Sequence, residues 1–207
     1  MFEAQCADKN ARLLLQIKDE QGADGLGSIA NFFDVEADWR CPCCLRDKSE
    51  LARKDKNGNL LCALHRHHDH YVHCIAHQVR KEFLEMPGAL PALEGSFVRF
   101  QDILICNDCN VAEPYAKNLV GAPEFFSFTP YEIAGFITVT VNAPHEVDPA
   151  RAEAAFKAAE PSMKLISQRL RALMTMTRSG EGTTFEPAAA AAWRVVNEVR
   201  KLRSANE

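Results

Sequence analysis

Two cysteine pairs carry the clearest chemistry in this chain. Cys41 and Cys44 stand at C-x-x-C spacing, and Cys106 and Cys109 repeat that spacing after 61 intervening residues. A C-x-x-C turn lets two thiolates grip one ion, and zinc takes four tetrahedral ligands, so two such turns make a closed structural site. Because the ligands come from distant stretches, the metal would contribute folding energy by closing a loop. Cys43 adjoins Cys44 too closely for both to chelate and stays outside the expected set. Between the pairs, histidines crowd positions 65, 67, 68, 70, 73 and 77. His68-Asp69-His70 sets a carboxylate beside imidazoles, and Asn110 directly follows the last cysteine of the frame. Asp69 and Asn110 offer the oxygen atoms that a hard cation such as Mg2+ takes.

Other groups have weaker readings. His73 and His77 lie four apart on an expected helix, with Cys62 and Cys74 nearby, and read either as a second zinc site or as a polar face over buried thiols. His68 shares a side with His70 if both continue a strand, and then lines the cleft against phosphate. Lys117 is either a phosphate contact or a solvated helix residue. Cys6 and His145 have no evident partner.

These groups need elements to position them. With 47% hydrophobic and 25% charged residues, the 207-residue chain has the composition of an ordinary globular protein. No apolar run approaches the roughly 20 residues that span a bilayer, and no secretory start is visible, so a cytoplasmic protein with reduced thiols is expected. The net charge of −4 is unevenly spread: −5 over 1–38, +1 over 39–117, −4 over 118–150 and +4 over 151–207. A polyanion should meet the middle and the C-terminal segment.

Residues 1–38 form an expected acidic cap of helix, glycine-rich loop and helical turn. Asn57-Gly58-Asn59 is a turn signal, and Leu60–Leu64 reads as one strand running into the histidines. Val72, Ile75, Val79, Phe83 and Met86 have helical spacing, and Phe97–Ile105 is a second strand candidate. Thr129-Pro130-Tyr131-Glu132 is a capping box opening a helix through Ile137. The tail steps apolar residues by three and four from Phe156 to Leu173. Pro161 is expected to kink or restart that helix, and Trp193, Val196 and Val199 extend the pattern into a hairpin that either packs on the core or joins a partner.

The order C-x-x-C, Asp-His, C-x-x-C-Asn, from about Trp39 to Lys117, resembles HNH endonucleases with a zinc frame, including phage junction-cleaving enzymes of the endonuclease VII type. The resemblance implies an α+β fold with a zinc-stapled ββα-metal core over 39–120, between the cap at 1–38 and a helical extension at 121–207. It implies His70 as general base, Asp69 and Asn110 as ligands of catalytic Mg2+ or Mn2+, and Glu113 as a supporting acid one turn beyond Asn110. Lys117 matches a lysine often found after this element. The family's middle asparagine, which orients the base, has no match; Gln101 or Asp102 lies nearest. The implied activity is hydrolysis of phosphodiester bonds, with DNA as the expected substrate and a protein partner or homodimer through the C-terminal helices. The rival expectation is a non-catalytic zinc ribbon that binds nucleic acid or a protein.

Overall fold

A computed structural model describes residues 2–70 and 99–178. The helical segment expected over 71–86, the start of the second strand candidate and the last helix with Trp193 lie outside these residues, as do His73, Cys74 and His77. The chain divides into two units. One holds residues 1–68, 102–123 and 128–155; the other holds 69–101, 124–127 and 156–207. Among the described residues no helix is long and apolar enough to cross a membrane.

In the first unit, α1 (Phe2–Glu20) buries Leu14 and Ile17 on one face, while Leu15 between them is 59% exposed, the three-to-four spacing of a helix lying on a core. The glycine-rich stretch expected as loop contains a short strand, β1 (Gly25–Leu26). It pairs parallel with β3 (Asn59–Leu61), which pairs antiparallel with β2 (Arg53–Lys54). The β2–β3 turn is the expected Asn57-Gly58-Asn59: Gly58 takes φ +80°, and the Asp55 carboxylate accepts the N–H groups of Asn57 and Asn59. Between β1 and β2 lies α2 (Lys48–Leu51), opened by a capping box in which the Asp47 carboxylate accepts from Ser49 and Glu50.

The expected single strand over Leu60–Leu64 is divided. The chain exchanges partners at Cys62, whose N–H donates to the Ser28 carbonyl, and at Leu64, whose N–H donates to Ala30. Beyond this exchange the chain forms β4 (Leu64–His67), antiparallel to β5 (Ile103–Cys106), with Leu64 opposite Cys106 and His67 opposite Ile103. His68 and His70 fall beyond the end of β4, so the strand alternation expected to align them does not operate. Directly after β5 comes α3 (Asn107–Val120), capped by the Cys106 sulfur and ended by Gly121 at φ +63°, a left-handed position that glycine adopts without steric cost.

The Thr129 capping box is formed as expected. Thr129 Oγ1 accepts from Glu132, whose carboxylate accepts from the Thr129 N–H. It opens α4 (Pro130–Phe136), which ends one residue early because Ile137 starts β6 (Ile137–Thr138), paired antiparallel with β7 (Glu146–Val147). Phe32, Leu60, Leu64, Ile105, Phe128, Ile133 and Phe136 are all fully buried in this unit. The last described helix, α5 (Pro149–Arg178), passes into the second unit and runs through Pro161 without a restart. The helix does not restart there; one proline removes a single ladder bond from a 30-residue helix.

Candidate functional site

Cys41, Cys44, Cys106 and Cys109 converge in the first unit. All four are buried, and their sulfurs lie within 4.8 Å of one another. Cys41 Sγ is 3.8 Å from Cys109 Sγ, and Cys44 Sγ is 3.7 Å from Cys106 Sγ. A tetrahedron with zinc–sulfur bonds of about 2.3 Å has edges of about 3.8 Å, whereas a disulfide needs sulfurs about 2.05 Å apart. The donor set therefore fits a zinc-like ion and not two disulfides.

Two local structures supply the sulfurs. The first is a tight turn in which Leu45 N–H donates to the Cys41 carbonyl at 2.8 Å and Cys41 N–H donates to Arg46 at 2.9 Å. The second is the β5–α3 junction, where the cap residue Cys106 and Cys109 in the first turn face the same point. Main-chain N–H groups are aimed at the sulfurs: Cys106 N–H at Cys41 Sγ, 3.4 Å, and Cys109 N–H at Cys106 Sγ, 3.5 Å.

The sulfurs do not ionise independently. Bonds from Cys106 and Cys109 hold the Cys41 thiol far below its ordinary range and bring Cys44 down to about 5. Cys109 is pushed far up, first by Cys106 and then by Cys41. A divalent cation removes this conflict by holding all four as thiolates. Cys43 is also buried. Although a bond with Cys109 favours its thiolate, a bond with Cys41, burial and neighbouring charge push its thiol up, in keeping with its exclusion from the ligand set. Cys62 is a plain buried thiol, pushed up to about 12 by burial.

Arg46 lies against the centre, 2% exposed. Its Nε donates to Cys44 Sγ and its Nη2 to Cys106 Sγ, each at 3.4 Å. Nη2 also pairs with Asp108 at 2.8 Å, and the other Asp108 oxygen takes Arg53 at 3.1 Å. Burial works against the charge on Arg46, yet the bonds to Asp108 and Cys44 hold it well above the ordinary arginine range.

Helix α3 also carries Asn110, Glu113 and Lys117. Asn110 is half-buried in the first turn. Pro114 has no N–H to give to the Asn110 carbonyl, so the helix's own i to i+4 bond is missing at that oxygen. Glu113 is buried and accepts from Phe128 N–H at 3.3 Å. Burial raises its carboxyl above the usual range, against the pull of Lys117 and of that N–H. Lys117 Nζ is 4.0 Å from Glu113. His67 is structural: it is 5% exposed, and its Nε2 bonds the Phe128 carbonyl at 2.7 Å, so Nε2 carries the proton. His65 bonds Asn107 at 3.0 Å. His68 is half-buried, beyond the strand.

Asp69 and His70 belong to the second unit, where two residues absent from the expected set hold them. Asp69 is 3% exposed, and its Oδ2 accepts from the Arg99 main-chain N–H at 2.8 Å. His70 N–H donates to Ser127 Oγ at 3.0 Å, and the Arg99 guanidinium donates to the Ser127 carbonyl at 2.6 Å. That guanidinium also sits over the Phe126 ring, 4.9 Å from its centroid. Asp69, Arg99, Ser127 and His70 thus close a ring of hydrogen bonds around the Asp-His step, while the His70 residue itself is exposed. Gln101 and Asp102, the nearest expected substitutes for an orienting asparagine, are both exposed.

Compared with family models, curated proteins and solved structures, the chain matches none.

Proposed function

We propose that this chain is a metal-dependent endonuclease of the HNH type, hydrolysing phosphodiester bonds in DNA. The observation that carries the reading is the order of parts around the four-sulfur centre. An antiparallel strand pair leads into a helix, the strand–helix junction supplies two of the sulfurs, and Asn110 follows the last of them in the first turn. The Asp69–His70 step comes two residues after the first of those strands. Ser127 holds the His70 main chain and Arg99 holds the Asp69 carboxylate, the kind of fixed setting that a catalytic pair requires.

In this reading the neutral ring of His70 accepts a proton from the attacking water. Asp69 and Asn110 would supply the oxygen donors for Mg2+ or Mn2+. When bound, the cation offsets charge on the phosphate and on the leaving 3′ oxygen. Lys117 and His68 are assigned to the phosphate backbone. Glu113 supports α3 from within, through Phe128 and Lys117, and contributes position in place of proton transfer.

The second reading, a zinc module that binds without cutting, has one observation in its favour. Val111, Tyr115 and Leu119 recur every four residues on α3 and are 56%, 56% and 44% exposed, an apolar stripe of the kind that meets a partner. Incubation of purified protein with plasmid and with single-stranded DNA, in Mg2+, Mn2+ or EDTA, separates the two. Metal-dependent nicking that falls by about 100-fold or more in His70→Ala supports the nuclease. Binding with no cleavage under any metal supports the module. Nicking that persists in His70→Ala removes the assigned base.

A further inference from the structure

We propose that Arg46 and His145, 99 positions apart in the chain, are the outer donors of the metal centre, and that they make closure of the β6–β7 hairpin depend on the metal being bound. The inference needs only the four-cysteine centre and stands apart from the nuclease reading.

The first observation is direction. A guanidinium has five N–H donors and no acceptor, so in its two contacts at 3.4 Å the sulfurs of Cys44 and Cys106 must be the acceptors. Thiolates bound to a cation keep the lone pairs that such bonds need. The second is charge. Four thiolates around a divalent cation carry two negative charges in a volume that excludes water, and Arg46 is the buried cation touching them. Asp108 would cancel that benefit, but Arg53 neutralises Asp108 from its other side.

The third is reach. The same guanidinium that touches the sulfurs extends Nη1 to the carbonyls of Thr140, at 2.7 Å, and Ala143, at 3.2 Å. Both belong to the loop joining β6 to β7. His145, from that loop, places Nε2 at 3.2 Å from Arg46 Nη2 and also bonds the Cys44 side chain. Its Nδ1 accepts the Thr140 N–H at 3.4 Å, so the neutral ring carries its proton on Nε2 and donates it to Cys44. That bond ties the loop to the sulfurs. A hairpin with only two residue pairs has little stability of its own. It is also anchored by Asn142, whose Nδ2 donates to the carbonyls of Ser49 and Ala52 and whose N–H donates to Glu50, and by packing of β7 against α3. Arg46 can serve sulfurs and loop together only while the sulfurs are gathered, and gathering them is what the cation does.

The test uses the full chain with Zn2+ and Co2+ as probes. Zinc affinity is measured by competition with a chromogenic chelator for wild type, Arg46→Met, Arg46→Lys and His145→Leu. Loss of an outer donor should weaken zinc by about 10- to 100-fold in Arg46→Met, with lysine recovering part of the loss. The sulfur-to-cobalt charge-transfer band should also shift, a signature that general destabilisation does not move. Hydrogen exchange over 137–147 should slow when zinc is added to wild type and stay fast in Arg46→Met with zinc saturating. If Arg46→Met does not fold because Asp108 is left underpaired, the Arg46→Met, Asp108→Asn double variant carries the same measurements. The proposal falls if the folded variant binds zinc within threefold of wild type with an unshifted cobalt band. It falls equally if zinc leaves exchange over 137–147 unchanged in wild type.

Discussion

Withdrawing the metal from the four-cysteine centre should cost the first unit about 4 kcal/mol. Cys44 and Cys106 are 62 positions apart. If the ion is treated as one cross-link closing a loop of that size, the entropy it removes from the unfolded chain is worth about 4 kcal/mol at 25 °C. The outer pair, Cys41 and Cys109, spans 68 positions around nearly the same loop and adds little entropy of its own. For a chain of this size a change of 1 kcal/mol moves Tm by about 2–4 °C, so the midpoint should fall by roughly 8–16 °C. The assay is a pair of thermal melts followed by circular dichroism under reductant, on zinc-loaded protein and on protein treated with a strong chelator, with metal content measured in both. A fall of less than about 3 °C with the ion shown to be gone would refute the argument. So would a chelator response in Cys41→Ser, Cys109→Ser as large as in wild type, because that protein cannot close the site.

Other expectations rest on single residues. Lys48 is buried, and its ammonium gives bonds to Asn10 at 2.6 Å, Phe32 at 2.7 Å and Val35 at 3.0 Å; Lys48→Met removes the donor to Asn10 and Phe32, while Val35 keeps its bond from Asn10 Nδ2, and should lower stability by about 2–4 kcal/mol in urea titration. Glu113 has a raised carboxyl pKa, so the folded state holds its proton more tightly than the unfolded state. That contribution is fully present below the unfolded pKa and is lost as pH rises through the folded pKa. Glu113→Gln should therefore gain stability relative to wild type at pH 8 and lose the advantage near pH 4, as melts across that range will show. Ser127→Ala removes the acceptor of the His70 N–H; it should destabilise by about 1–3 kcal/mol and, in the nuclease reading, lower kcat by about tenfold or more with KM little changed.

Short spacing made some features of the fold legible in the chain itself. The C-x-x-C pairs, the Asp55–Asn59 turn and the Thr129 box each express their geometry within six residues, and all three are formed. Leu60–Leu64 misled because five apolar residues do not reveal that Ser28 and Ala30, 34 positions before Cys62 and Leu64, take over as hydrogen-bond partners. Arg46 carried a faint signal, a positive charge two residues after a metal-ligand cysteine. Its role depends on Thr140 and Ala143, about a hundred positions away, which no local pattern encodes. Arg99 and Ser127 were invisible for the same reason. Each meets the Asp-His step only because the chain folds back, one through a main-chain N–H that any residue type would supply.

The pairing of His67 with Ile103 has a bearing on how this molecule can change. The chain leaves the first unit and returns to it at facing positions of one strand pair, just above the clamp made by the sulfurs. Whatever spans the gap meets a stem that is already closed, so lengthening or shortening it changes the closure entropy only logarithmically. Insertions and deletions there leave the metal ligands in register. Outside Asp69, His70 and Arg99, which make up and hold the Asp-His step, the stretch can change in length and composition while the stem stays fixed.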